Sequence, residues 1–412
     1  MKWSTESSFT SNSDGVKISY ASLVSDAAKT KPTISFFTGY KETYQKYLPL
    51  MNKLHTEEGF NIFTMDHRNQ GLSGDTPGTT YEKGFEDSSG KRICYVEDFE
   101  TAYVEDMKQF LETIVKPSCQ DGNPSICVLT HSMGGLLAAR LAQLTGKSLF
   151  DRMALSAPMI SHKNILDIGG LFDLELPIGL ASSFGALMVK MKQGPIKADG
   201  RDTDASKPTT ELLTHSSEKL EAWHKLRKEY PQIVLGGASF QWAKAALEIE
   251  DNIMEDIEKI EVPTLVFMAE NDAFVYNSAI VDFVGKLGKE KAMLIGPIAN
   301  AYHELLQEKN DITSPILKTI GAFAALGSQE DEDFFPDSLL SEINSIPLSQ
   351  TKFDENIYWP KGFHSCWKPP SIPTPLVLKN NPGTRYFVST FLKGVALAAI
   401  LRSTAVWKNT EK

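Results

Sequence analysis

The run Thr130-His131-Ser132-Met133-Gly134-Gly135 stands between four apolar residues, Ile126-Cys127-Val128-Leu129, and a stretch of helix formers, Leu136-Leu137-Ala138-Ala139-Arg140-Leu141-Ala142. A buried strand that feeds straight into a helix turns so tightly that small residues must flank the apex. Gly134 meets that need two places after Ser132, and Thr130, two places before it, meets it in part. A serine at such an apex is lifted off the strand end. The new helix then directs its unbonded N–H groups and positive dipole end at whatever the hydroxyl attacks. An ordinary strand-turn-helix junction carries the same local pattern, so the elbow reading depends on the rest of the chain.

The 412 residues, 42% hydrophobic and 23% charged, hold material for one large α/β core with additions. A net charge of −10 excludes a basic phosphate-neutralising face over the whole molecule and speaks against nucleic acid as a partner. No apolar segment follows Met1-Lys2-Trp3-Ser4-Thr5-Glu6, which predicts a cytoplasmic chain without a secretory leader. Cys94, Cys119, Cys127 and Cys366 show no ligand-like spacing and read as reduced structural thiols, and no metal site is expected.

Apolar runs at 33–37, 61–65, 126–129, 153–155, 264–268 and 293–295 predict strands, and 16–24 alternates like an antiparallel edge strand. Helical spacing over 44–55, 95–115, 277–288 and 314–326 separates them, which predicts a mostly parallel sheet covered on both faces. Two stretches break this alternation. Residues 158–250 offer helical pieces and no strand, and placed after the sixth strand they read as a helical cap (lid) or as an ordinary helical subdomain. Residues 328–412 open with Gln329-Glu330-Asp331-Glu332-Asp333 and form a C-terminal extension. The expected division is a core of 1–157 and 251–327, a cap of 158–250 and the extension of 328–412.

A serine hydroxyl is a poor nucleophile at neutral pH and needs an imidazole base, which in turn needs a carboxylate to orient it. Where a serine nucleophile sits at a strand-to-helix elbow of this kind, the acid follows it in the chain and the histidine comes last, both just past strand ends. The strand 264–268 runs into Glu270-Asn271-Asp272, and the last strand runs into Ala301-Tyr302-His303-Glu304. Ser132, Asp272 and His303 are therefore the candidate catalytic residues, with Glu270 the alternative acid. An oxyanion hole needs two backbone donors. The N–H of Met133 and, past the strand 33–37, the N–H of Tyr40 are expected there, with Gly39 and Gly134 supporting the loop and the elbow. His131, His215, Phe240 and Trp242 are candidate substrate contacts.

Several longer strings resemble a known group of enzymes. Residues 39–47, the string Asp66-His67-Arg68-Asn69-Gln70-Gly71-Leu72-Ser73, the run His131-Ser132-Met133-Gly134-Gly135 and Ala301-Tyr302-His303-Glu304 are similar to the serine hydrolases of the lysophospholipase L2 and monoacylglycerol lipase group. In the cap stretch, Leu213-Thr214-His215-Ser216 and Gly236-Gly237-Ala238-Ser239-Phe240-Gln241-Trp242 are similar to its lysophospholipase branch. The resemblance spans about residues 15–325. It implies the α/β-hydrolase fold, hydrolysis of a monoacyl lipid ester (lysophospholipid or monoacylglycerol), Ser132, Asp272 and His303 at the triad positions, and no cofactor. Two positions depart from the pattern: Thr38 replaces a usual histidine, and Thr130 replaces a usual glycine. An acyltransferase using the same acyl-enzyme, or a catalytically dead homologue that binds lipid or protein, are the alternatives.

The extension has no counterpart in that group. Between residues 385 and 412 five basic residues (Arg385, Lys393, Arg402, Lys408, Lys412) face one acid, Glu411, a local charge of +4 in an apolar setting. Such a segment predicts peripheral contact with a membrane surface, against the alternative of a terminal helix packed on the core.

Overall fold

A strand buried on both faces must feed two cores, and alternate side chains do so here. In the strand Thr33–Phe37, Ile34 and Phe36 enter one core and Phe37 the other. In Ile126–His131, Cys127 and Leu129 join the first and Val128 the second, and Thr264–Ala269 divides Leu265 and Phe267 from Val266 and Met268 in the same way. The computed structural model of the chain describes residues 2–24, 32–76, 92–119, 125–163, 212–326 and 335–349, with short pieces between 165 and 190.

Eight strands form one sheet: β1 (Thr5–Thr10), β2 (Lys17–Leu23), β3 (Thr33–Phe37), β4 (Asn61–Met65), β5 (Ile126–His131), β6 (Arg152–Ser156), β7 (Thr264–Ala269) and β8 (Ala292–Ile298). Their spatial order is β1-β2-β4-β3-β5-β6-β7-β8. From β4 to β8 every neighbouring pair is parallel, while β1 and β2 run antiparallel at one side. Helical residues 100–118, α2 (Met133–Thr145), α4 (Phe240–Glu255) and α5 (Asn277–Leu287) cover one face. The other face is covered by α1 (Leu48–Thr56), α6 (Asn310–Ala325) and α7 (Asp337–Ile343). Helix α3 (Ser217–Glu229) starts at Ser216, whose Oγ accepts the N–H of Lys219. Among the described residues no helix is long and apolar enough to cross a membrane.

Three expectations change. The strand read as an edge, β2, is interior, because β1 pairs along it from Thr5 opposite Ser22 to Thr10 opposite Lys17. β1 is polar and largely exposed, so no hydrophobic period announces it. The stretch 158–250 does contain strands: Ile165–Asp167 pairs with Asp173–Glu175, and Gly237–Ala238 with Ile93–Cys94. Pairs of two or three residues are too short to display a period. Packing also continues past the expected core boundary at 327. Phe335 stacks on Phe323 with ring centroids 6.0 Å apart, and Leu339, Leu340, Ile343 and Ile346 are buried in the same core as α6. Of the cap stretch, α4 lies against α2 and sends Trp242, Ala245, Ala246, Ile249 and Ile253 into the core. The segment 385–412, to which membrane contact was assigned, lies outside the described residues, as does Cys366.

Candidate active site

Ser132 sits between β5 and α2 at φ 50° and ψ −115°, a left-handed conformation that costs a non-glycine residue energy and survives only where its surroundings hold it. They do. Its N–H donates to Ser156 O at 3.0 Å, and its carbonyl accepts the N–H groups of Gly135 at 2.9 Å and Met159 at 3.0 Å. A Cβ on Gly134 would stand 2.5 Å from Phe37 O and 2.8 Å from Thr38 O, so the start of α2 can lie against the end of β3 only with glycine there. Gly135 is confined likewise, 2.7 Å from Pro158 Cβ.

At this edge His303 Nε2 lies 3.0 Å from Ser132 Oγ, and His303 Nδ1 lies 2.7 Å from Asp272 Oδ2. The carboxylate accepts, so Nδ1 carries the proton and the unprotonated Nε2 faces the serine hydroxyl. Asp272 Oδ1 is held by the N–H groups of Phe274 at 2.8 Å and Val275 at 3.0 Å. All three side chains are buried. Burial works against a charge on His303, but the adjacent Asp272 carboxylate outweighs it and holds the imidazole above its ordinary range. Burial likewise works against charge on Asp272, and its histidine and backbone partners bring it below the usual carboxylate value. Glu270, the alternative acid, is engaged elsewhere: Oε2 accepts the N–H of Asn300 at 2.8 Å and Oε1 the hydroxyl of Ser349 at 2.6 Å.

The loop after β3 is bonded from two sides. Gly39 N–H donates to Glu42 Oε2 at 2.7 Å, while Gln70 donates to Gly39 O and accepts from Lys41 N–H, each at 3.0 Å. A Cβ on Gly39 would come within 3.1 Å of Ser132 Cβ, so this backbone lies directly against the serine. The string from Asp66 to Ser73, remote from the reacting groups in sequence, is the support of this loop. Buried His67 donates to Thr38 O at 3.2 Å, with its pKa pushed down to about 4 by burial. Asp66 accepts from Tyr44 N–H and Leu72 N–H, both at 2.8 Å, and from Thr43 Oγ1 at 3.0 Å. Burial outweighs these donors and raises its carboxyl to about 7. Arg68 Nε pairs with buried Asp106 Oδ2 at 2.7 Å and ties the string to the helical residues 100–118.

Of the four candidate substrate contacts, His131, His215 and Trp242 pack on the loops around Ser132. His131 is buried with its ring 4.8 Å from that of His303, and burial, reinforced by the His303 and Lys46 charges and only partly opposed by Glu42, pushes its pKa down to about 3, keeping it neutral. Trp242 packs on Tyr40 at 4.5 Å and donates Nε1–H to Tyr103 Oη at 3.1 Å. His215 stacks on Tyr302 at 3.8 Å and bonds Glu308 Oε1 through Nδ1 at 2.9 Å, which pins 213–216 to the loop after His303. Phe240 is buried at the start of α4. Sequence reasoning missed Glu42, Lys46, Gln70 and Glu304. Glu42 and Lys46 stand four apart within the run 39–47, a spacing that could have flagged them as a pair.

Residues 28–310 match the family described as Hydrolase_4, serine aminopeptidase S33. The chain is 25% identical over 317 residues to a probable lysophospholipase L2 of Haemophilus influenzae, covering 76% of this chain and 90% of that protein. It is 25% identical over 294 residues to lysophospholipase L2 of Escherichia coli K12, covering 69% of this chain and 78% of that one. Among solved structures, a soluble variant of Saccharomyces cerevisiae monoglyceride lipase in complex with a substrate analogue superposes with a TM-score of 0.55 at 16% identity, over 79% of this chain and 96% of that one. The monoacylglycerol lipase of Paleococcus ferrophilus superposes with a TM-score of 0.52 at 15% identity, over 75% and 98%. With a mostly parallel sheet, a strained serine between β5 and α2 and a family match over most of its length, this chain belongs to the Hydrolase_4 (serine aminopeptidase S33) family of α/β hydrolases.

Proposed function

We propose that the protein is a serine hydrolase that cleaves the acyl ester of a monoacyl lipid, a lysophospholipid or a monoacylglycerol, through an acyl-enzyme on Ser132. The observation that carries this reading is the unbroken hydrogen-bonded line from Ser132 Oγ through His303 to Asp272 Oδ2. The lysophospholipase and monoacylglycerol lipase names of the similar proteins support the ester and lipid parts of it.

In this mechanism Ser132 Oγ attacks the ester carbonyl while His303 Nε2 takes its proton, and Asp272 stabilises the imidazolium. The N–H groups of Tyr40 and Met133 receive the charge that develops on the carbonyl oxygen. As the C–O bond breaks, the imidazolium passes its proton to the leaving alcohol. Water then attacks the acyl-enzyme, His303 removing its proton and returning one to Ser132 as the fatty acid leaves. No step calls for a metal or cofactor. In the same reading the stretch 158–250, apart from α4, which packs on the core, forms the lid over the acyl chain, and the basic apolar stretch 385–412 brings the enzyme to a membrane surface.

Fatty-acid release from lysophosphatidylcholine, monoacylglycerol and short aryl esters, compared side by side, tests the proposal. Hydrolysis of a monoacyl lipid that is lost in Ser132→Ala is the expected result. Release of amine from an aminoacyl anilide with no ester turnover would move the protein to the peptidase chemistry of the family's name.

A further inference from the structure

The oxyanion loop and the histidine loop leave the sheet far apart. β3 and β8 are separated by β5, β6 and β7, four strand spacings or roughly 19 Å, yet His303 must reach back to a serine lying against Gly39. One buried side chain touches both loops. Lys46 Nζ stands 2.6 Å from Glu42 Oε1 and 2.5 Å from Glu304 Oε1, the residue next to His303. Glu42 is engaged at both oxygens in this arrangement: Oε1 also accepts Tyr47 Oη–H at 2.8 Å, and Oε2 accepts the Gly39 N–H. The ammonium further lies 5.4 Å from the Tyr47 ring centroid and 5.3 Å from that of Trp223, on α3 of the cap stretch.

Three ionisable groups in an interior are an expensive way to fill space, because apolar side chains of similar volume are as stabilising or more so. What an ion triad adds is direction, since a charged hydrogen bond fixes both partners within tenths of an ångström. We propose that Lys46, held between Glu42 and Glu304, is a positioning residue that locks the loop bearing Gly39 and Tyr40 to the loop bearing His303. The hole for the oxyanion and the base for Ser132 are then set at one fixed separation, and α3 is registered on the same point. Burial would raise Glu42, but Lys46 above all brings it down to about 2, so the carboxylate that holds Gly39 N–H is ionised wherever the enzyme works.

The inference rests on the ester-hydrolase reading above, and its test separates the two. Wild type, Ser132→Ala, Lys46→Met, Lys46→Arg and Glu304→Gln are compared for kcat and KM on a short aryl ester, for labelling by a fluorophosphonate and for Tm. A positioning role predicts that Lys46→Met lowers kcat about a hundredfold with KM within twofold, the size of effect of a misplacement near 1 Å. Glu304→Gln, which leaves Lys46 paired with Glu42, lowers kcat about tenfold at a Tm close to wild type, and Lys46→Arg restores most of the rate. If Lys46→Met does not fold, Glu304→Gln decides alone. Wild-type kcat in either folded variant overturns the proposal, as does a loss shared between kcat and KM, or an unfolded Glu304→Gln, which would assign the triad to stability. Turnover that vanishes in Ser132→Ala while Lys46→Met stays unchanged sinks only this inference; a wild type inert to ester and fluorophosphonate sinks both.

Discussion

In the proposed mechanism the neutral imidazole of His303 makes the Ser132 hydroxyl a nucleophile, so activity is expected to follow its protonation. Burial opposes the charged ring, but Asp272 outweighs burial, and the pKa lies above the ordinary 6.5. A higher pKa leaves less neutral histidine at a given acidic pH. The acid limb of kcat/KM against pH is therefore expected to have its midpoint above 6.5, and a flat profile from about pH 5 to 8 would count against His303 as the base. Asp272→Asn keeps the volume but loses the acceptor that fixes the Nδ1–H tautomer. A kcat lowered by about 10⁴, with fluorophosphonate labelling slowed in parallel, is the expected outcome. Ser132, Asp272 and His303 were legible because each follows a strand whose apolar run is visible in sequence. The support around them was less so: Glu42 and Lys46 can be paired by spacing, but Glu304 joins them from 258 residues away.

At the level of elements, the site depends on how close α2 comes to β3. Gly134→Ala puts a methyl group 2.5 Å from a backbone oxygen, which cannot swing aside as a side chain can. The helix must back away. Chemical denaturation should show a loss of about 1–3 kcal/mol, and kcat should fall by roughly 10² as Ser132 moves from the Gly39 loop. Asp66→Ala removes the acceptor of Tyr44 N–H, Leu72 N–H and the Thr43 hydroxyl together. Unfolding in urea should report a destabilisation of about 3 kcal/mol or more, because donors left buried without partners are costly. The central parallel strands were readable because burial on both faces makes them continuous apolar runs. β1 was not, since a polar strand held by backbone pairing to β2 has no hydrophobic signature.

For the whole molecule, the chain beyond α6 divides into two parts with different expected roles. Phe335, Leu339, Leu340, Ile343 and Ile346 are buried against the core, so deleting 335–412 is expected to lower stability by roughly 5 kcal/mol or more. Deleting only 380–412 should leave hydrolysis of a short soluble ester intact and weaken binding to anionic vesicles; unchanged binding would end the membrane assignment. The sequence by itself determined the fold class, the strand-to-helix turn at Ser132 and the placement of Asp272 and His303 just past strand ends, because strand burial, glycine at a tight turn and placement after strand ends are local and leave local traces. Only the tertiary structure decided that Asp272 rather than Glu270 meets His303, that the string after β4 braces the loop beside Ser132, and that Lys46 joins two loops across the sheet. Those are contacts between segments from about 30 to more than 250 residues apart, made by the order in which the strands lie side by side and by no feature of any one stretch of chain.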